Sequence, residues 1–121
     1  MVLVAVDDLL FSSKIRTVAK QAGVELVFAR TPPEILNQLR ACRPALAIFD
    51  LNSSKTDPIR TVEAIKGDPE ISATRTLGFV SHVDAVTIAA AREAGIDEVM
   101  ARSAFAGQLA EILLSAPEHP R

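Results

Sequence analysis

Residues 2–8 read Val2-Leu3-Val4-Ala5-Val6-Asp7-Asp8, an unbroken apolar run that ends in two carboxylates. A run of this length without alternating polar residues is typical of a strand that is covered on both faces, as in a parallel sheet. Similar short runs recur along the chain. They occupy residues 24–28, 45–49, 77–80 and 98–101. We predict a strand at each of these runs.

Segments with helical periodicity separate the predicted strands. The two clearest apolar stripes consist of Phe11, Ile15, Val18, Ala19 and Ala22, and of Phe105, Leu109, Ile112 and Leu113. Helix starts are indicated by the capping residues Thr31, Asp57, Asp84 and Ser103, and helix ends by Gly23, Gly67 and Gly95. The pattern predicts five helices that alternate strictly with five strands.

Strict alternation of strands and helices decides the fold class. Parallel strands need crossover connections, and right-handed crossovers place helices on both faces of one sheet. We therefore predict a three-layer α/β sandwich with a five-stranded, parallel, doubly wound sheet whose first strand lies near the middle. One domain over residues 1–116 accounts for the pattern. Residues 117–121, which contain Pro117 and Pro120, form a predicted flexible tail.

The composition excludes several classes of function. The 121 residues include 13 basic and 15 acidic side chains, which gives a formal net charge of −2. A nucleic-acid-binding face needs an excess of cations, and base stacking needs more aromatic surface than five Phe without Trp or Tyr. The first apolar run is too short for a signal peptide or a membrane span. We expect a cytoplasmic protein that binds neither nucleic acid nor membrane.

Polar residues stand directly after the predicted strands. In parallel sheets the functional site lies beyond the carboxyl ends of the strands. The side chains found there are those of Asp7, Asp8, Asp50, Ser81 and Arg102. Three carboxylates in one pocket repel each other and raise one another's pKa, and a divalent cation relieves that repulsion. Because the ligands would be oxygen atoms without His or Cys, we expect Mg²⁺ rather than zinc.

Four segments resemble the receiver domain of response regulators in two-component signalling. They are residues 3–8, 43–51, 65–69 and 94–99, which read LVAVDD, RPALAIFDL, IKGDP and AGIDEV. An acidic pair after the first strand and a single Asp after the third strand are the central features of this resemblance. It extends from Val2 to about Leu114 and implies the flavodoxin-like strand order 2-1-3-4-5.

The resemblance also implies a role for each polar residue at the edge of the sheet. Asp50 would accept a phosphoryl group from a sensor histidine kinase or a phosphotransfer protein. The implied Mg²⁺ ligands are Asp7, Asp8, Asp50 and the main-chain carbonyl of Asn52. Ser81 and Arg102 would contact the phosphoryl group, and the altered surface would be read by a downstream protein through residues 84–114. Catalysis of the transfer would rest on positioning and electrostatics.

The chain departs from the receiver pattern at several positions. Arg102-Ser103 replaces the lysine and proline that usually follow the fifth strand, and Arg is longer and planar where Lys is a compact point charge. Val99 stands where the family has an aromatic switch residue. His82 replaces a small residue next to the phosphate site, and the loop 53–58 differs from the usual sequence. We predict that the scaffold and the acidic pocket are kept while phosphorylation or switching is weakened.

Two other functions remain open from the sequence. One is a degenerate pseudo-receiver, a protein-interaction module without Mg²⁺ or phosphate, in which Arg102 pairs with Asp50 and Asp7 and Asp8 only cap the first helix. The other is a small phosphohydrolase. A hydrolase of the haloacid-dehalogenase type would need a second Asp at position 9, where the chain has Leu9. We expect a signalling module and not an enzyme.

Overall fold

A computed structural model of the chain describes residues 1–81 and 84–116. These residues form five strands and six helices. The strands are β1 (Val2–Ala5), β2 (Leu26–Phe28), β3 (Leu46–Asp50), β4 (Arg75–Val80) and β5 (Glu98–Ala101). The helices are α1 (Leu9–Ala22), α2 (Pro32–Cys42), α3 (Pro58–Lys66), α4 (Ala85–Ala94), α5 (Arg102–Gly107) and α6 (Leu109–Leu114).

The strands form one parallel sheet in the order β2-β1-β3-β4-β5. This confirms the predicted fold class and strand order. The central strands β1 and β3 are buried along their whole length, whereas the edge strand β2 is only half-buried. The order reverses between β1 and β3, so the chain leaves a crevice at the carboxyl ends of these two strands.

Each face of the sheet carries its own apolar core. Helices α1, α5 and α6 cover one face, with Phe11, Ile15, Phe105, Leu109 and Leu113 packed on Val2, Val4, Ile48, Leu77 and Phe79. Helices α2, α3 and α4 cover the other face, with Ile35, Leu39, Val62, Ile65 and Ala91 packed on Leu3, Ala5, Ala47 and Phe49. Successive residues of β1 therefore serve opposite cores, as the two-residue period of a strand requires.

Most of the predicted helix signals act as expected. Thr31 Oγ1 accepts a hydrogen bond from Glu34 N at 3.4 Å, and Asp84 Oδ1 accepts from Val86 N and Thr87 N. Gly23 and Gly95 have positive φ angles of 74° and 102° after α1 and α4, which glycine adopts without steric cost.

Three predicted helix signals differ in detail from the expectation. Asp57 precedes α3 but its side chain accepts no cap hydrogen bond, because its backbone is left-handed with φ 43°. Gly67 ends α3 in a right-handed conformation. Ser103 lies inside α5, which already begins at Arg102 because β5 runs directly into the helix.

The predicted last helix is divided in two. Gln108 has φ −112° and separates α5 from α6, although the apolar stripe from Phe105 to Leu113 stays buried across the break. Gly107 directly precedes the break, and glycine is a weak helix former.

The tail predicted at residues 117–121 lies outside the described residues, and the boundary at 116 stays a prediction. Within residues 1–81 and 84–116, no helix is both long enough and apolar enough to cross a membrane.

Gly78 in β4 marks a close approach between the sheet and its neighbours. A Cβ at this position would lie 2.7 Å from Leu51 Cγ and 2.8 Å from Ile96 Cδ1. We expect Gly78→Ala to lower the free energy of unfolding by about 1–3 kcal/mol through overpacking, measured by urea denaturation. The control Gly107→Ala meets no atom within 4 Å and should be neutral or stabilising by up to about 1 kcal/mol. Equal effects of the two substitutions would contradict this packing.

Candidate functional site

The carboxyl ends of β1, β3, β4 and β5 meet at one edge of the sheet. Asp7 and Asp8 follow β1, and Asp50 is the last residue of β3, in register with Phe79. Ser81 directly follows β4, and Arg102 is the first residue of α5. We call this group of five residues the acidic edge. Helices α1 and α5 lie on the same face of the sheet, so Arg102 can reach the start of α1.

Asp8 uses both of its carboxylate oxygens. Oδ1 caps α1 by accepting a hydrogen bond from Phe11 N at 3.1 Å, and Oδ2 forms an ion pair with Arg102 Nη2 at 3.0 Å. These two hydrogen bonds, from the Phe11 backbone first and from the Arg102 guanidinium second, hold the pKa of Asp8 below its ordinary value. Asp8 is therefore both a helix cap and the anionic partner of Arg102.

The guanidinium of Arg102 is held by three kinds of contact. Besides the ion pair with Asp8, Nη1 donates a hydrogen bond to Ser81 Oγ at 3.3 Å. Its Cζ lies 4.2 Å from the ring centroid of Phe11 and 6.0 Å from that of Phe79. A cation over an aromatic face is attracted by the ring quadrupole. The side chain is 33% exposed, so these contacts hold it against the edge of the sheet.

The rings beneath Arg102 form a compact aromatic cluster. Phe79 and Phe105 stack with centroids 4.8 Å apart, and Phe11 meets Phe79 edge-on at 5.1 Å. Offset-stacked and edge-to-face pairs are the favoured arrangements of aromatic rings. The guanidinium of Arg102 therefore packs on an apolar surface whose rings are held in place by each other.

Asp50 is buried, with 8% of its surface exposed. Its Oδ1 accepts a hydrogen bond from Asn52 N at 3.0 Å, which is the one hydrogen bond of this side chain within the described residues. Burial raises the pKa of Asp50 above its ordinary value, against the opposing effects of the Asn52 N–H and of the Arg102 charge. The negative charges of Asp8 and Asp7 raise the pKa further. The predicted mutual repulsion of the three carboxylates therefore acts on the buried Asp50.

The side chain of Asn52 ties the loop after β3 to the end of β4. Its Oδ1 accepts a hydrogen bond from Ser81 N at 2.7 Å, while its backbone N–H donates to Asp50. The receiver resemblance implied a role only for the main-chain carbonyl of Asn52, and this side-chain bridge was not predicted. An amide residue two positions after a buried Asp is a weak signal that could have pointed to it.

The pseudo-receiver alternative predicted an ion pair between Arg102 and Asp50. In the structure Arg102 forms its ion pair with Asp8 instead. Asp8 lies at the start of α1, on the face of the sheet that α5 also covers, and Phe11 fixes the guanidinium above that helix. Asp50 experiences Arg102 only through the longer-range charge effect on its pKa. Asp50 therefore keeps a carboxylate without a cation in direct contact among the described residues.

With Arg102 on Asp8, the expected Mg²⁺ site is not formed among the described residues, and its ligands Asp7, Asp8 and Asp50 stay a prediction. Among residues 1–81 and 84–116, no three His, Cys, Asp or Glu side chains lie close enough together to hold a metal ion. Both oxygens of Asp8 already have donors, and Asp7 is exposed. The positive charge at the acidic edge comes from Arg102.

Two departures from the receiver pattern have different outcomes. Val99 lies half-buried in β5 and packs with the core beneath α2, α3 and α4, without a ring that could rotate. His82 lies outside the described residues. The contribution of Phe11 to the site was not predicted, because its place in an apolar stripe indicated only a core residue.

Solved structures of response regulators share this fold. A response regulator from Hahella chejuensis matches with a TM-score of 0.84 and 19% identity, over 99% of this chain and 98% of that chain. The phosphorylated cyanobacterial phytochrome response regulator RcpA matches with a TM-score of 0.79 and 23% identity, over 94% and 88% of the two chains. The Mn²⁺-bound form of response regulator Rcp1 matches with a TM-score of 0.79 and 16% identity, over 98% of each chain.

Sequence comparison adds no relative to these structural matches. No protein-family profile matches the chain, and no curated protein matches it. At identities of 16–23% the structural likeness concerns the fold. The chain has the fold of a CheY-like receiver domain.

The charge states of Asp50 and Asp8 predict opposite effects of two matched substitutions. The raised pKa of Asp50 means that its protonated form stabilises the fold, and this contribution is lost as the pH rises through the folded-state pKa. Asp50→Asn, whose amide oxygen still accepts from Asn52 N, should therefore raise the Tm at about pH 7 in metal-free buffer. The Tm values of variant and wild type should converge below about pH 4.

Asp8→Asn is the matched control for this prediction. The lowered pKa of Asp8 contributes stability above the unfolded-state pKa, which is lost as the pH falls through the folded-state pKa. Asp8→Asn should therefore lower the Tm at about pH 7, and this loss should shrink as the pH falls below the unfolded-state pKa. A destabilising Asp50→Asn at neutral pH would contradict the assignment of Asp50 as a buried, poorly compensated carboxylate.

Proposed function

We propose that this chain is a signalling module of the two-component type that acts through protein–protein contacts and not as an enzyme. We further propose that Arg102 takes the place of a divalent cation beside Asp8, so that these contacts depend on neither Mg²⁺ nor phosphate. The fold supports the first statement. The second statement rests on the two hydrogen bonds that Arg102 donates, one to Asp8 and one to Ser81.

The position of the guanidinium explains why a bound cation is dispensable. Two adjacent carboxylates and a buried third would repel each other if no positive charge lay between them. Arg102 supplies a permanent charge at this place, because a guanidinium does not lose its proton in proteins. A divalent ion at Asp8 would compete with Arg102, which is also held by Ser81 and by the Phe11 ring.

The predicted contact surface for a downstream protein comprises residues 84–114. It contains α4, β5, α5 and α6, and Arg102 lies within it. Val86 near the start of α4 is 79% exposed, an apolar side chain that a partner would cover. Arg102 links this surface to Asp8 at the acidic edge.

Phosphoryl transfer to Asp50 is the second candidate function, and one observation favours it. Asp50 has no cation in direct contact, and its carboxylate accepts a single hydrogen bond within the described residues. In this reading an Asp50 oxygen attacks a phosphohistidine of a sensor histidine kinase or phosphotransfer protein. An O–P bond forms, the N–P bond breaks, and the imidazole leaves. Mg²⁺ at Asp7 and Asp8 would require Arg102 to leave Asp8 first.

A magnesium titration tests whether Arg102 takes the place of the metal. We expect the Tm of the wild-type chain to be unchanged by Mg²⁺ at millimolar concentration. Arg102→Gln leaves the carboxylates without their cation, and Mg²⁺ should then raise the Tm of this variant by about 4 °C, through binding to the folded state alone. The measurement is thermal unfolding with and without Mg²⁺, with Ca²⁺ as a second divalent ion.

The matched control for this titration is Arg16→Gln. Arg16 on α1 also lies over an aromatic ring, 4.6 Å from the Phe28 centroid, but it is remote from the acidic edge. Its replacement should produce no Mg²⁺ dependence. A wild-type chain that is stabilised by Mg²⁺ as strongly as Arg102→Gln would contradict the proposed role of Arg102.

Intact-mass measurement after incubation with acetyl phosphate and Mg²⁺ separates the two candidate functions. The proposed function predicts no added phosphoryl group on the wild-type chain. A single phosphoryl group that is lost in Asp50→Asn would overturn it in favour of the phospho-acceptor. Turnover of a generic phosphate ester that survives Asp50→Asn would instead indicate a phosphohydrolase.

A further inference from the structure

A groove lies between α1 and the β5–α5 junction, next to the acidic edge. Its volume is about 660 Å³, which is in the range of pockets that hold small organic ligands. Ala101 and Ala106 provide accessible apolar surface, Phe11 and Val80 lie nearly buried behind them, and Lys14 and Arg102 provide charge. The carboxylates of the acidic edge are not part of its lining. The groove is therefore a separate surface that shares Arg102 with that edge.

The charges of the groove are both positive. Lys14 and Arg102 are its ionisable lining residues within the described part of the chain. Lys14 is exposed and makes no hydrogen bond or ion pair within residues 1–81 and 84–116. Arg102 uses one N–H donor on Ser81 and one on Asp8, and a guanidinium has five, so it retains donors for a ligand. The hydroxyl of Ser103 lies on the same wall.

We infer that this groove binds a small organic carboxylate with an apolar body, such as a short aliphatic or aromatic acid. The apolar body would pack on Ala101, on Ala106 and on the aliphatic stem of Lys14. The carboxylate would lie between Lys14 and the free donors of Arg102, whose planar fork matches a carboxylate. Because Asp8 already neutralises one of the two cations, the groove complements a single negative charge. This inference goes beyond the proposed function, since it involves neither Mg²⁺ nor a phosphoryl group.

Arg102 couples the groove to the acidic edge. The guanidinium that would bind the ligand is also the partner of Asp8, 3.0 Å away. A ligand carboxylate and Asp8 therefore compete for the same positive charge. Removal of the Asp8 charge should strengthen ligand binding, whereas a purely structural role of Asp8 would leave binding unchanged or weaken it.

A titration of the ¹⁵N-labelled full chain with benzoate, followed by NMR, tests the inference. Benzoate should shift the amide signals of residues 11–14 and 101–106, and neutral benzyl alcohol should bind at least about fivefold more weakly. Lys14→Gln should weaken benzoate binding about threefold to fivefold. Ala101→Leu should weaken it at unchanged charge, because Ala101 is an exposed residue of the groove wall.

Two further variants complete the experiment. Asp8→Asn, which can still cap α1, should tighten benzoate binding about threefold. Lys55→Gln removes an exposed lysine away from the groove and should change nothing. Equal binding of benzoate and benzyl alcohol, no localised shifts at millimolar benzoate, or binding that is indifferent to both Lys14→Gln and Ala101→Leu would overturn the inference. Circular dichroism of each variant verifies that it is folded.

Discussion

The contact between Arg102 and Asp8 joins the two ends of the chain across the functional edge of the sheet. It connects the first residue of α5 to the N-cap of α1, two helices that cover the same face. The ring of Phe11 lies beneath the guanidinium and orients it. Because Asp8 also holds the first turn of α1, a single carboxylate fixes a helix start and a cation together. The arrangement of the whole acidic edge depends on this contact.

The pKa values of Asp8 and Asp50 differ because Arg102 contacts Asp8 directly and acts on Asp50 only at longer range. Asp8 receives a direct ion pair and a cap hydrogen bond, and its pKa is lowered. Asp50 is buried, receives one backbone hydrogen bond and only a distant effect of Arg102, and its pKa is raised. The environment thus favours the ionised form of Asp8 and the protonated form of Asp50, although both are aspartates at the same edge. Receiver domains with a lysine and a metal ion distribute charge differently, so the shared fold does not by itself carry their chemistry.

The fold could be predicted from the sequence further than the site could. Apolar runs and helical stripes report burial directly, and they predicted the strands, most helices and the three-layer fold class. The strand order came from the resemblance to receiver domains. The exceptions, at Asp57, Ser103 and Gln108, are local backbone conformations that tertiary packing decides. At the site, the strand ends predicted which residues gather at one edge. The choice of Asp8 over Asp50 as the partner of Arg102 depends on the face that α5 covers and on the ring of Phe11, neither of which a linear pattern contains.

The break at Gln108 divides the helical C-terminal part of the fold into two segments. α5 is a six-residue segment that begins with Arg102, whereas α6 packs along α1 with Leu109 and Leu113 in the core. Phe105 anchors α5 in the same core and stacks on Phe79, so each of the two segments is held against the sheet by its own side chains. The place of Arg102 at the edge of the sheet is therefore secured within α5 itself.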